Sequence, residues 1–327
     1  MKTIRWGIIG CGNVTEVKSG PGFQLARNSA LAAVMRRDGA KAADYARRHG
    51  VASWYDDADH LIADREVDAV YVATPPAFHC DYTLRAARAG KPVYVEKPMA
   101  RDHDECRRMI GACASAGVKL FVAYYRRALP RFLKVKELLD SGAIGAARLV
   151  SVVHYQPPES GEYNPATLPW RVIPELAGAG RFLDVGSHTL DLLDFLLGPI
   201  DRVEGHAANQ AGLYRAEDIV AGSWRHESGA LGNGVWCFSA GASHEMNEIV
   251  GAEGRIRFST FGSESVRVER AGKVEELAIA HPPHIQQPMI QSIVDDLNGQ
   301  GRCESTGESG ARTSWVMDRM LEGWRAA

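Results

Sequence analysis

The sequence lacks any apolar run that approaches the roughly 20 residues needed to span a bilayer. It also lacks an excess of charge of either sign, because 38 lysines and arginines face 40 aspartates and glutamates, a formal net charge of −2. Neither nucleic acid nor a membrane surface is therefore expected as a partner. A glycine motif follows the N-terminus so closely that a signal peptide would be cleaved through it, and we expect a cytoplasmic protein.

Paired cysteines are also missing. None of the six cysteines forms a Cys-x-x-Cys pair or stands at the spacing of a zinc site with a histidine. We therefore expect reduced, mostly buried thiols, with neither a disulfide framework nor a bound metal.

The two halves of the 327-residue chain differ in pattern. Short apolar runs alternate with helical segments up to about residue 123, which is typical of a parallel sheet covered on both faces. From residue 202 to about 280 strand follows strand without a long helix, which predicts an antiparallel sheet. The sequence thus predicts an α/β protein with a dinucleotide-binding domain at 1–123 and a substrate-binding and oligomerisation domain at 124–327. The last helix is a candidate to pack back on the first domain.

The glycine motif follows the first predicted strand and opens a helix. Gly10 and Gly12 form the Gly-x-Gly of a dinucleotide-binding turn, and Asn13 and Val14 begin the helix. Glycines at such a turn let backbone N–H groups approach a pyrophosphate at a helix N-terminus. Thr15 stands where the usual fingerprint has a small residue, which loosens helix–strand packing without blocking the turn.

The end of the second strand bears on the choice of cofactor. An NAD site usually places an acidic residue there to bind the ribose 2′-hydroxyl, whereas this chain has Arg36 and Arg37. Two guanidinium groups suit a 2′-phosphate, so NADP(H) is favoured, with NAD(H) as the alternative. Asp38 follows, and it is also a candidate cap for the next helix.

Two further turns end neighbouring strands at the same predicted sheet edge. Thr74 and Pro75, with His79 just beyond them, close one strand, and Glu96 and Lys97 close the next. Ligands of open α/β sheets bind beyond the carboxyl ends of the strands, so all five are candidate cofactor contacts.

Taken together, these motifs resemble the glucose–fructose oxidoreductase / inositol dehydrogenase (Gfo/Idh/MocA-like) family. The resemblance rests on the Gly10-Cys11-Gly12 turn, the Thr74-Pro75 and Glu96-Lys97-Pro98 turns, and the segment 178–193, which is similar to a glycine-rich turn followed by Asp-x-x-x-His. It extends over nearly the whole chain. Thr15, and Ala179 in place of a glycine, depart from the family pattern.

The resemblance implies a Rossmann domain followed by an α/β domain with an open, mostly antiparallel sheet. It implies hydride transfer between NAD(P) and a hydroxyl or carbonyl carbon, usually of a sugar or polyol. In that pattern Lys97 is catalytic, and Asp184 and His188 are catalytic or position the substrate. Family members tend to pair through the outer face of the second sheet, which implies a homodimer or homotetramer.

The chemistry of these side chains agrees with that implication. Asp184 and His188 lie four residues apart on one helix face. A histidine with an ordinary pKa can take the hydroxyl proton near neutral pH, and Lys97 can stabilise negative charge on the reacting oxygen. We therefore expect the side-chain nitrogens of Lys97 and His188 to lie within ~8 Å of each other. Asp191 could hold the second nitrogen of His188 or be a solvated charge.

A proline- and glycine-rich loop from Tyr155 to Arg171 is the predicted substrate lid. Aromatic rings beside polar groups suit a carbohydrate. We predict that Trp170, Arg171 and Arg126 contact the substrate.

Several alternatives stay open at this point. Oxidation of a trans-dihydrodiol is a variant of the same chemistry, and some relatives are glycosidases that use tightly held NAD as a transient oxidant. A regulator that binds the dinucleotide without catalysis is the non-enzymatic alternative. Turnover of any polyol would exclude the regulator, and cofactor retained on purification would favour the glycosidase.

Overall fold

The structure is a computed structural model that describes residues 1–325. The chain packs as two compact units, one of residues 1–129 with 282–311 and the other of residues 130–281 with the segment from 312 onward. The boundary at residues 123/124 stays a prediction. No helix within the described residues is long and apolar enough to cross a bilayer. All six cysteines are free, five of them buried and Cys237 half-buried, as the sequence predicted.

Strands and helices alternate through most of the first unit. They are, in chain order, β1 Ile4–Ile9, α1 Asn13–Val17, α2 Gly20–Leu25, β2 Ser29–Met35, α3 Gly39–His49, β3 Ser53–Tyr55, α4 Ala58–Ala63, β4 Ala69–Val72, α5 His79–Arg88, β5 Val93–Val95, α6 His103–Ser115 and β6 Leu120–Val122.

The remaining elements include one long run of strands. They are α7 Pro130–Asp140, β7 Ala147–Tyr155, α8 Pro174–Ala177, α9 Arg181–Leu197, β8 Ile200–Ala208, β9 Ile219–His226, β10 Leu231–Cys237, β11 His244–Gly251, β12 Gly254–Phe258, β13 Val266–Arg270, β14 Lys273–Leu277, α10 Gln287–Leu297 and α11 Gly307–Arg325. Short 3-10 turns lie at Pro76–Phe78, Tyr125–Ala128, Ser160–Tyr163, Pro165–Thr167 and Trp170–Val172.

The sheet of the first unit is parallel, with strand order β3-β2-β1-β4-β5-β6. Every residue of β4 and β5 is buried, as expected for strands covered on both faces. The strand order reverses at β1, and ligands of such sheets bind beyond the carboxyl ends of the strands at that point. The predicted Rossmann-type sheet is confirmed.

Two local features of this unit differ from the prediction. The helix predicted to begin after the glycine turn is two short helices, α1 and α2. The break falls at residues 18–19, directly before Gly20, where an added Cβ would lie 2.1 Å from the carbonyl oxygen of Thr15, and Pro21 follows. Strand β3 and helix α4 were not predicted, because three and six residues are too few to show a clear hydrophobic period.

The second unit contains an eight-stranded sheet in the order β14-β13-β12-β11-β7-β10-β9-β8. Its pairs are antiparallel except β7 with β10, which run parallel. This confirms the prediction of a mostly antiparallel second sheet. Strand β7 inserts between β10 and β11, whose residues lie 82 to 104 positions after their partners in β7, and that insertion creates the parallel pair.

Helix α9 covers one face of this sheet. Thirteen of its 17 residues are buried, and the ring of Phe182 meets that of Trp236 on β10 edge-on at 5.1 Å. An added Cβ at Gly180, which precedes the helix, would lie 2.3 Å from the carbonyl oxygen of Glu217. This packing fixes the rotation of α9, and with it the direction of Asp184 and His188.

Candidate active site

The glycine turn follows β1 directly. Gly10 has φ +94°, and a Cβ there would lie 3.0 Å from the carbonyl of Ala73, so both conformation and space require glycine. Gly12 is the extended residue before α1. The first amides of a helix have no partner within it, so those of Asn13 and Val14 are suited to bind an anion. The turn therefore fits a pyrophosphate.

Thr15, the departure from the usual fingerprint, is fully buried. Its hydroxyl donates to the carbonyl of Gly12 at 2.8 Å, and its own carbonyl accepts from the hydroxyl of Tyr45 at 2.8 Å. The threonine thus closes the first turn of α1 and ties that turn to α3. The departure leaves the glycine turn intact.

Three charged residues follow β2: Arg36, Arg37 and Asp38. Asp38 caps α3 by accepting from the amide of Lys41 at 3.2 Å, and it also pairs with the Lys41 ammonium. Arg36 is half-buried and donates to the carbonyl of Cys11 at 3.3 Å, which brings its guanidinium to the glycine turn. Arg37 is exposed and lies over the ring of Phe78 at 5.3 Å.

His79 joins the two turns that were predicted to contact the cofactor. It is fully buried, with Nε2 2.7 Å from the carbonyl oxygen of Thr74 and Nδ1 3.1 Å from that of Pro98. Burial lowers its pKa. The imidazole therefore holds the ends of two strands together, and direct contact of its ring with a cofactor stays a prediction.

The Glu96-Lys97 turn follows β5 and rests on a residue that the sequence analysis missed. The buried Glu96 carboxylate accepts from the backbone amide of Lys97 at 3.1 Å and from the side-chain amide of Gln286 at 2.7 Å. Gln286, which precedes α10, also accepts from the hydroxyl of Tyr94 at 3.0 Å. Tyr71 donates to Glu96 as well. Nothing in the local sequence relates Gln286 to a motif 190 residues earlier.

Three predicted residues of the second unit meet at the start of α9. The carboxylate of Asp184 accepts from Nε of Arg171 at 2.8 Å. The guanidinium of Arg171 in turn lies 4.5 Å above the centre of the Trp170 ring. This cluster combines a carboxylate, a partly exposed guanidinium and an aromatic ring, the groups that recognise hydroxyl-bearing rings.

His188 lies one helical turn after Asp184. It is buried, and its ring meets that of Phe261 edge-on at 5.7 Å. Asp191 is also buried and accepts from the hydroxyl of Thr313 at 3.4 Å, so the alternative of a solvated charge is wrong.

The predicted lid is anchored at its centre. Glu162 is buried and pairs with the Arg181 guanidinium at 2.7 Å, and Glu159 binds the same guanidinium at 2.7 Å. Tyr163 is exposed. Arg126, the remaining predicted substrate contact, lies in the first unit, where it is buried with its guanidinium 5.0 Å from the centre of the Tyr125 ring.

Glu217 is a buried carboxyl that the sequence analysis also missed. It lies between β8 and β9, and both of its oxygens accept from the amide of Gly180, at 2.9 and 2.8 Å. Burial raises its pKa to about 7. Glu217 thus holds the residue that directly precedes the helix with Asp184 and His188.

The raised pKa predicts a stability effect. An unfolded carboxyl titrates near 4.5, so between about pH 4.5 and 7 the folded protein holds a proton that the unfolded chain has lost. The stabilisation is complete below about pH 4.5 and is lost as pH rises through about 7. This corresponds to at most about 3 kcal/mol of unfolding free energy.

Glu217→Gln should therefore flatten the fall in Tm between pH 4.5 and 8, as measured by differential scanning fluorimetry. Glu276→Gln, at an exposed position on β14, is the control and should follow the wild-type curve. Parallel Tm curves for wild type and Glu217→Gln would contradict the assignment.

Among the described residues, no group of three or more histidine, cysteine or acidic side chains is placed to hold a metal ion. The first unit contains the glycine turn, Arg36 and Arg37 and the Glu96-Lys97 turn, and the second unit contains the helix with Asp184 and His188. Those features can be compared with known proteins.

Residues 4–124 match the profile described as "Oxidoreductase family, NAD-binding Rossmann fold". Residues 132–257 match the C-terminal domain of the same family. The chain belongs to the Gfo/Idh/MocA family of oxidoreductases. The resemblance predicted from the sequence is confirmed, and with it an enzyme of the NAD(P)-dependent class that acts on CH–OH groups.

Several known proteins are similar to this chain over nearly its whole length. Oxidoreductase P35 of Formosa agariphila is 38% identical over 96% of the chain and 97% of its own length. The 1,5-anhydro-D-fructose reductase of Ensifer adhaerens is 29% identical over 94% and 92%. Among solved structures, the aldose–aldose oxidoreductase of Caulobacter crescentus, complexed with glycerol, superimposes with a TM-score of 0.88 at 26% identity over 99% and 98%.

Proposed function

We propose that this oxidoreductase transfers hydride between NADP(H) and a hydroxyl or carbonyl carbon of a cyclic sugar or polyol. The observation that carries the substrate class is the Asp184–Arg171–Trp170 cluster, one helical turn from His188. The names of two similar proteins, a 1,5-anhydro-D-fructose reductase and an aldose–aldose oxidoreductase, agree with that class.

The cofactor supplies or accepts the hydride when bound. In this proposal Gly10, Gly12 and the amides of Asn13 and Val14 hold its pyrophosphate. The guanidinium groups of Arg36 and Arg37 bind the 2′-phosphate. The Thr74-Pro75 and Glu96-Lys97 turns, supported by His79, bind the remainder.

The catalytic roles divide among three side chains. Lys97 Nζ neutralises negative charge on the reacting oxygen, and His188 takes the hydroxyl proton. Asp184, oriented by Arg171, accepts from a neighbouring substrate hydroxyl. Arg126, Trp170 and Arg171 contact the substrate.

A turnover screen tests this function. Pyranoses, inositols, cyclic diols and open-chain polyols are assayed with NADP⁺ and NAD⁺, and the corresponding ketones or aldoses with the reduced cofactors. We expect at least one cyclic compound to be turned over, faster with NADP(H). Cofactor binding without turnover of any compound would contradict the enzyme assignment. Glycoside cleavage that needs only a trace of NAD would replace it with the glycosidase alternative.

We also propose a homodimer or homotetramer formed through the outer face of the second sheet. Val153, Val235 and Met246 lie side by side there and are half-buried, and Leu149 and Leu231 are paired and exposed. Such a row of apolar side chains on an open sheet face is suited to a second copy of the chain. Sedimentation equilibrium of the purified protein measures the oligomer directly.

A further inference from the structure

A four-residue turn between β12 and β13 is fixed by one carboxylate. Glu245, on β11, accepts from the backbone amide of Thr260 at 2.6 Å and from that of Phe261 at 3.2 Å. It also accepts from the hydroxyl of Ser259. The same hydroxyl accepts from the amide of Gly262, which closes the turn. A single side chain thus fixes the backbone of residues 259–262.

The turn is held from two helices as well. The buried hydroxyl of Thr260 lies 3.2 Å from that of Thr189 on α9, and it accepts from the side chain of Asn247 at 2.9 Å. The wholly buried Arg131, on α7, donates to the carbonyl of Gly262. The turn therefore has little freedom to move, and Thr189, to which it is bound, directly follows His188.

This fixed turn presents one aromatic side chain. Phe261 keeps 39% of its surface exposed, although large apolar side chains are usually buried. Its ring meets that of His188 edge-on at 5.7 Å and that of His154 at 5.6 Å. The ring therefore does not fill a core, and its exposed part is available for contact with a ligand beside the proposed catalytic base.

We propose that Phe261 is a specificity-determining residue, whose exposed ring packs against the C–H face of a cyclic sugar or polyol. Glu245 is its positioning residue. The inference rests on the proposed function, because it takes His188 as the group that meets the reacting hydroxyl. A ring substrate presents several C–H groups on one face, which an aromatic surface desolvates, whereas an open-chain polyol presents no such continuous face.

The first experiment compares steady-state kinetics of the wild type with those of Phe261→Ala and Phe261→Tyr. The substrate is the pyranose or inositol with the highest kcat/KM in the turnover screen. Phe261→Ala should raise its KM about tenfold, the effect of losing roughly 60 Å² of apolar contact, and change kcat less than threefold. Phe261→Tyr keeps an aromatic ring and should therefore have the KM of the wild type. The NADPH dissociation constant should stay unchanged in both variants.

The controls separate this inference from the proposed function. Leu133→Ala, which removes another exposed apolar side chain of the same unit, should leave KM unchanged. An open-chain polyol should show less than a threefold rise in KM with Phe261→Ala. An unchanged KM for the ring substrate in an active Phe261→Ala enzyme would refute the role of Phe261 and leave the proposed function standing. A wild type without turnover would refute the proposed function instead.

A double-mutant cycle tests Glu245. Glu245→Gln should raise KM for the ring substrate in the same direction, without a change in NADPH affinity. In the Phe261→Ala background it should have no further effect, since the ring that it positions is gone. Additive effects on KM would contradict a role for Glu245 through Phe261. If Glu245→Gln fails to fold, the alanine and tyrosine variants of Phe261 still decide the main inference.

Discussion

Lys97→Met is expected to lower kcat by ~10²-fold or more while leaving the NADPH dissociation constant within a few-fold of wild type. Methionine keeps an unbranched side chain, one atom shorter than that of lysine, and removes the ammonium group with its charge and its hydrogen-bond donors. The turn itself depends on the backbone amide of Lys97, which donates to the buried Glu96 carboxylate, and that bond is unaffected by the substitution. The loss should therefore fall on the chemical step. Steady-state kinetics and titration of NADPH fluorescence measure the two quantities.

One control variant and one double variant test whether the loss of kcat is due to Lys97 itself. Lys273→Met removes an exposed positive charge from β14 and should leave kcat unchanged. Lys97→Met combined with His188→Asn should be little slower than the slower single variant, because groups that act in one chemical step have non-additive effects. Near-normal turnover by Lys97→Met would place the catalytic machinery elsewhere.

The first sheet was largely predictable because its signals are local. Each buried strand is a continuous apolar run, and the Gly10 turn and the prolines after β4 and β5 mark where strands end. Local signals fail where elements are short, as at β3 and α4. They also fail at the break between α1 and α2, which Gly20 follows, because the lack of room for a side chain there depends on the fold.

The strands of the second sheet were predictable from the sequence, but the order in which they pair was not. The succession of strand-like segments without a long helix between them predicts β8 to β14 and an antiparallel sheet. It does not predict that β7 pairs with both β10 and β11. That pairing depends on contacts across about 80 residues of chain, and the residues of β7 alternate identically whichever partners they have.

The residues of the candidate site were likewise predictable only in part. The sequence motifs and the family resemblance select Asp184, His188 and Lys97 as candidates, and their roles stay predictions. The groups that hold these residues are distant in sequence and carry no motif. Gln286 binds Glu96, Glu217 binds the start of α9, and Phe261 contacts His188. Each of these contacts forms within one unit and only in the folded chain.

Arg36→Asp is expected to reverse the cofactor preference from NADP(H) to NAD(H). Asp38, the acidic residue that follows the two arginines after β2, binds the backbone amide of Lys41 as the cap of α3 and pairs with the Lys41 ammonium. Arg36 instead brings its guanidinium to the carbonyl of Cys11 in the glycine turn, where it is suited to bind a 2′-phosphate. An aspartate at position 36 would repel that phosphate and accept from the free hydroxyl of NAD(H).

The expected size of the reversal follows from the charges involved. A hydrogen bond to a charged group contributes about 1.5–3 kcal/mol, so losing one and adding repulsion should change the ratio of the two dissociation constants ~10²-fold or more. Arg37→Asp should have a smaller effect, since its guanidinium packs on Phe78. Arg27→Asp makes the same charge change at an exposed position of the same unit and should leave the ratio unchanged. Fluorescence titration of each protein with NADPH and NADH gives the ratio, and equal or tighter binding of NADH by the unmodified protein would refute the NADP(H) assignment.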